Sequence, residues 1–258
     1  MRSRPFPLSC QIRLRWMGLS LLGPLCLVGC GGVQAPPYSW DWSVVPQNLS
    51  LLLVGLELTL LITLLSAAFG ILLGIPVALG RLTSFTPLRL VVTAYIELWR
   101  GTPVLVQLVW IFYVLPIVIG VELPAIASAI VALALNMSAF TGEAFRSGIQ
   151  AIAHEQIEAA DILGLGLFQR LRYVIVPQAF RIVLPVIISL CIGLFKDSSL
   201  VSVIGVSDLM YNGNSLASST YRPIEVLSAV AVIYFAIAFP FTILMRNVEL
   251  RLSRHLAR

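Results

Sequence analysis

Lys196 and Asp197 stand side by side in an apolar run from about Ile182 to Ile204. Ionisable groups in such a setting are costly and mark functional positions by default. Other polar residues are placed similarly: Glu57, Asn136, Gln107, Ser198, and the pair Glu97 and Arg100. Together they suit a polar pocket for a small zwitterionic solute, with Asp197 or Glu57 facing an ammonium and Lys196 a carboxylate. The alternative is structural, with Lys196 and Asp197 pairing with other residues and holding helices together. Adjacent residues on a helix point about 100° apart, so these two do not naturally face each other. Other chemistries find no support in the spacing. A P-loop needs a lysine after a glycine-rich turn, and Lys196 is the only lysine. His154 and His255 have no metal or catalytic spacing around them, which argues against a membrane enzyme. Cys10, Cys26, Cys30 and Cys191 match neither a zinc site nor a disulfide framework.

The elements that must position these residues are long and apolar. Of 258 residues 59% are hydrophobic and 11% charged, far below the roughly 25% charge of soluble domains. A helix crosses a bilayer core with about 20 apolar residues, so the chain has room for five or six spans. The runs lie at about Leu49 to Leu79, Pro103 to Val121 (led by Leu90 to Arg100), Pro124 to Phe140, Ile182 to Ile204 and Ile224 to Met245. They do not alternate, which favours helices over barrel strands. The expected fold is therefore all-α and polytopic, with five core transmembrane helices over 49–250 and a tail at 251–258.

Charge sets the orientation. With the first core span running inward, the inner segments collect Arg81, Arg89, Arg146, Arg170, Arg172, Arg181, Arg246, Arg251, Arg254 and Arg258, whereas the outer loops hold only Arg222. This bias predicts an outer start, a cytoplasmic C-terminus and a cytoplasmic loop at 143–181. The formal charge of +5 is no sign of a nucleic-acid face: four of the 17 basic residues lie in the first fifteen positions, and from residue 30 onward 13 basic residues face 12 acidic ones.

Within that loop, Ile149 to Leu163 reads as an amphipathic helix. Ile149, Ile152, Ala159, Ala160 and Leu163 fall on one side, and His154, Glu155, Glu158 and Asp161 on the other. Gly164 stands where a helix C-cap glycine belongs. Helices that lie on membranes present Lys and Arg to anionic lipid, so an acidic face points to a protein partner.

Glu158-Ala159-Ala160, Gly164 and Val174-Ile175-Val176-Pro177 resemble the EAA motif of ABC importer permeases, with Val174 and Val176 where isoleucine and leucine are usual. Glu97-Leu98-Trp99-Arg100-Gly101-Thr102-Pro103 with Gln107 is similar to a stretch of the polar amino acid branch, also called the histidine, glutamine and arginine type. Glu143 to Ile149, Pro177 to Arg181 and Lys196-Asp197-Ser198-Ser199-Leu200 are similar to further segments of that branch, Ser198 replacing the usual threonine. The resemblance covers roughly residues 50–250. It implies a permease subunit of an ATP-driven amino acid importer in the cytoplasmic membrane. It also implies a coupling helix that engages separate ATPase subunits through Glu158, Ala159, Ala160, Asp161, Gly164 and Pro177. ATP-Mg would sit on the ATPase, with no cofactor on this chain. A second permease chain, identical or related, and an extracytoplasmic substrate-binding protein complete the implied partners, in a lipid membrane and without nucleic acid.

The start of the chain is distinct. A basic region, an apolar stretch from Trp16 to Val28 and small residues form a signal-like leader over 1–33. Leu27-Val28-Gly29-Cys30 resembles a lipobox, making Cys30 a lipidation candidate; an uncleaved extra transmembrane helix is the alternative. Either way, 34–48 is expected on the outer side, with Tyr38, Trp40 and Trp42 in an interfacial belt. The competing functional reading is an ion-coupled secondary transporter, and a lipoprotein-like scaffold is a third. No convincing internal repeat of the kind common in secondary transporters relates 50–140 to 180–250, and that reading leaves the acidic helix unexplained.

Overall fold

The computed structural model describes residues 38–256. The leader at 1–33 with Cys30, residues 34–37 of the outer segment and residues 257–258 of the tail lie outside the described residues. Residues 38–40 belong to a first unit, in which the Tyr38 and Trp40 rings meet edge-on at 5.3 Å. A second unit begins at Asp41 and holds the helices. These are α1 (Val44–Gln47), α2 (Leu49–Leu82), α3 (Thr86–Gly101), α4 (Val104–Ile119), α5 (Ala125–Gln150), α6 (His154–Ile162), α7 (Leu167–Ile204), α8 (Leu209–Thr220) and α9 (Pro223–Leu256). No strand occurs among the described residues. Helices α2, α5, α7 and the Pro223–Met245 part of α9 are long and apolar enough to cross a membrane, and α3 with α4 makes a fifth if the pair counts as one broken span.

The packing inverts the soluble pattern. Along α2 most buried positions are small (Gly55, Thr59, Thr63, Ser66, Ala67, Gly70, Gly74, Ala78), Leu52 and Ile62 being the large exceptions, while Leu61, Leu64, Phe69, Leu72 and Leu79 are exposed. Small side chains let helix backbones approach closely where lipid removes the hydrophobic drive for association. The partner is α5, the most buried helix, and Thr141 on it donates a hydrogen bond to the Gly70 carbonyl at 2.9 Å. Around this contact lies the main core, with Ile62, Leu108, Ile111, Leu133, Met137, Leu194 and Val201. A smaller cluster (Leu52, Leu209, Leu216, Val226, Val230) joins α2, α8 and α9.

Two features depart from the runs read in sequence. The stretch 143–181 is not one loop: α5 continues to Gln150, and α7 begins at Leu167. Charge does not stop α5 because Arg146 pairs with Glu143 one turn back and Ser147 Oγ donates to the Glu143 carbonyl at 2.8 Å. In addition, α4 and α7 each contain a π-helical turn, at Trp110–Val114 and Leu171–Ile175. Each turn lies just ahead of a proline, Pro116 or Pro177. A proline has no N–H to donate and its ring crowds the carbonyl four residues back; the widened turn absorbs that conflict.

Candidate functional site

Helix α6 carries the candidate coupling residues. It starts at His154, after a break at Ala151–Ala153, so Ile149 belongs to α5 and the wheel drawn through Ile149 loses its phase. Ile152 and Ala160 are buried as expected, but Ala159 and Leu163 are exposed. Beside Leu163, Ile162 is 87% exposed, and Leu167 and Phe168 continue an apolar strip. The acidic side is also open: Glu155, Glu158 and Asp161 are all exposed. Glu158 Oε1 meets His154 Nδ1 at 3.0 Å, and Asp161 pairs with Arg170 at the start of α7. Pro177 is exposed as well, on α7.

The end of α6 follows the capping chemistry anticipated for glycine. Gly164 has φ +69°, its N–H donates to Asp161 O at 3.0 Å, and Leu165 N–H donates to Ala160 O at 3.1 Å. This pair of bonds is a Schellman cap. A Cβ at Gly164 would touch nothing within 4 Å, so the requirement is conformational, not spatial. Gly164→Val is expected to cost about 1–2 kcal/mol, and Gly164→Asn clearly less. Hydrogen exchange of the α6 amides should accelerate in the valine variant.

Inside the helical bundle, the structure brings together Gln107 and Asn136, which the sequence separates by 29 positions. They sit at the break between α3 and α4, whose axes turn by 107°. Thr102 is extended, as a residue before proline prefers, and Pro103 precedes the first turn of α4. A helix end leaves carbonyls without partners, which lipid cannot supply. Gln107 Nε2 donates to Trp99 O at 2.8 Å, Thr102 O at 3.0 Å and Thr102 Oγ1 at 2.7 Å. Asn136 Nδ2 donates to Trp99 O at 3.1 Å and Gln107 Oε1 at 2.9 Å. The two side chains are 6% and 7% exposed. The break is therefore closed by side-chain amides in place of water.

The remaining candidates are placed apart from this node. Glu57, Glu97 and Lys196 are exposed, and Arg100 lies over the Phe140 ring at 5.3 Å. Asp197 is half-buried, and neither it nor Lys196 enters an ion pair among the described residues. Ser198 is buried and donates to Phe195 O at 2.7 Å. A cavity of about 540 Å³ opens beside the break, lined by Trp99, Thr102, Gln107, Trp110, Leu115 and Val131 among others. No ionisable side chain lines it, and the polar atoms of Gln107 already point at the backbone. Asp208 and Glu225 are not among the candidates drawn from the sequence, yet both are fully buried. For Asp208 the usable signal is an acidic residue directly before a helix start, the N-cap pattern.

A polytopic helical bundle with a displayed acidic helix defines a class of membrane transport component. The chain belongs to the family of binding-protein-dependent transport system inner membrane components, whose model matches residues 70–254. It is 34% identical over 213 residues to the arginine transport system permease protein ArtQ of Bacillus subtilis, covering 83% of this chain and 97% of that one. It is 32% identical over 221 residues to the glutamate/aspartate import permease protein GltK of Escherichia coli O157:H7, covering 83% and 99%. Among solved structures, an amino acid ABC transporter crystallised with histidines has a chain of 38% identity and TM-score 0.78, covering 83% of this chain and all of that one.

Proposed function

We propose that this chain is the permease subunit of an ATP-driven importer of polar amino acids, coupled through α6 to an ATPase on a separate subunit. The observation that carries the coupling is α6 itself: a short capped helix whose acids and apolar end are both left open, in a protein related to amino acid permeases. In this reading Glu158, Ala159, Ala160, Asp161, Gly164 and Pro177 form the docking surface. The tail and α6 face the cytoplasm, as the arginine distribution requires, and α8 faces outward. A second permease chain and an extracytoplasmic binding protein complete the transporter, and ATP-Mg stays with the ATPase. Glu57, Glu97, Arg100, Lys196 and Asp197 are the pathway residues with charge available to a solute. Gln107, Asn136 and Ser198 spend their polar atoms on neighbours and act by shaping the walls. The relatives named for arginine and for glutamate/aspartate carry opposite charges, so the substrate's side-chain charge is set by individual residues and not by the fold.

Purification of the tagged chain in mild detergent tests this. A P-loop ATPase should accompany the wild type and be lost with Glu158→Arg and with Gly164→Leu. Recovery unaffected by both changes moves the docking surface elsewhere. Ion-driven transport by the chain without any ATPase overturns the importer reading in favour of a secondary transporter.

A further inference from the structure

Among the described residues, one fully buried carboxyl has no cation paired with it. Asp208 is 0% exposed and caps α8, its Oδ1 accepting from Tyr211 N at 2.9 Å. Its Oδ2 is enclosed and has no hydrogen-bond partner. The hydroxyl of Tyr234, on α9, is enclosed and unpartnered too, and stands beside Asp208 and Thr59. Thr59, on α2, is already committed: its Oγ1 donates to Gly55 O at 3.0 Å and accepts from Leu209 N at 3.1 Å. Asn212 adds a bond to Leu51 O at 3.1 Å. Asp208 thus occupies the point where α8 is pinned between α2 and α9.

Among the described residues, the surroundings offer no compensating charge. Near this point α2 contributes Thr59 and Gly55, its Glu57 being exposed. The last turns of α7, Ser198 to Ile204, hold no ionisable residue. On α8 the neighbour is Tyr211. On α9 it is Tyr234, while Glu225 takes the Asp41 N–H at 3.0 Å and lies 3.8 Å from Arg222. No lysine or arginine among the described residues forms an ion pair with Asp208.

We propose that Asp208 is a proton-binding site, and that taking up the proton tightens the hold of α8 on α2 and α9. A neutral carboxyl keeps Oδ1 as the helix cap and lets Oδ2–H donate to Tyr234 Oη. A carboxylate can accept from Tyr234 instead, but leaves a buried charge unbalanced. Burial pushes this carboxyl up to about 6, against the opposing pull of the Tyr211 and Met210 amides and the Tyr234 hydroxyl. The folded protein therefore holds the proton more tightly than the unfolded chain, whose value lies near 3.8. Stability is gained as pH falls through that window and lost as pH rises through about 6. That the proton comes from the outer side rests on the orientation proposed above.

The test is infrared difference spectroscopy on the purified complex between about pH 5 and about pH 8, combined with thermal melting. A protonated-carboxyl band with a midpoint near 6 is expected in wild type and absent in Asp208→Asn. Asparagine still caps a helix, so the melting advantage of Asp208→Asn over wild type should be about 2 °C or more larger at the higher pH than at the lower. Tyr234→Phe keeps the ring against Phe195 and should raise the midpoint, because it removes a donor to the carboxylate. A band unchanged in Asp208→Asn, or equal melting differences at both pH values, overturns the proposal. In sealed vesicles the band should follow the outer pH. A band that follows the inner pH supports the proton site and overturns the orientation.

Discussion

Replacing Gly74 by leucine should separate α2 from α5 and deprive the protein of a folded, monodisperse state in detergent. Even a Cβ at this position would lie 2.1 Å from Thr141 Oγ1 and 3.0 Å from the Gly142 backbone nitrogen. The threonine cannot simply rotate away, because its hydroxyl holds the Gly70 carbonyl across the same interface. One turn earlier, a Cβ at Gly70 would lie 2.5 Å from Met137 Cγ, so α2 cannot slide towards that end to make room. Overpacking costs about 1–3 kcal/mol, and loss of a buried hydrogen bond adds about 1 kcal/mol. A total of about 2–4 kcal/mol is a large share of the roughly 5–15 kcal/mol that holds a typical domain folded. Gly74→Ala should move the melting temperature in the same direction by less. Gly193→Ala is the control: a Cβ there meets nothing within 4 Å, and replacing a mid-helix glycine should stabilise by about 0.5–1 kcal/mol. Melting of the three variants by size-exclusion recovery separates a close-contact glycine from an incidental one.

The contrast between these glycines marks what the sequence could and could not reveal. Length and apolarity gave the spans, because a bilayer demands about 20 apolar residues of any helix. The αL glycine at 164 was legible because capping is local chemistry. Which of Gly70 and Gly74 on α2 and Gly193 on α7 touches a neighbour was not legible, since all three lie in long apolar runs and only the partner helix distinguishes them. The end of α5 is hidden for a related reason: apolar runs stop at Phe140, but the Glu143–Arg146 pair carries the helix on to Gln150. Intramembrane polar residues are readily found in the sequence, yet their partners are not. Gln107 and Asn136 look like free amides in lipid until the break at Thr102–Pro103 supplies carbonyls for them. Asp208 escapes notice because burial of a loop residue depends on three separated segments closing over it.

The closed break makes the second large prediction. Gln107→Glu should reduce uptake by at least about tenfold at neutral pH, an effect of about 1.4 kcal/mol or more, although it changes only one heavy atom of the side chain. Glutamine Nε2 donates to three oxygens, whereas a carboxylate has only acceptors to offer them. The oxygen replacing Nε2 would then face the Trp99 and Thr102 carbonyls; Trp99 O keeps its Asn136 donor, but Thr102 O loses this one, and a buried group left unsatisfied costs about 1–3 kcal/mol. Burial favours the neutral form of an acid, and once protonated the Gln107→Glu side chain regains one O–H donor. Acidification should therefore restore part of the loss in Gln107→Glu while leaving Gln107→Met unrescued, since methionine fills the space but donates nothing at any pH. Asn136→Leu should resemble Gln107→Met, removing one of two donors on Trp99 O and stranding Gln107 Oε1. If these amides contacted solute, substitution would raise KM and leave the melting temperature alone. If they close the break, maximal uptake and melting temperature should fall together and KM should stay near the wild-type value, because the change acts on the angle between α3 and α4 and not on a binding contact.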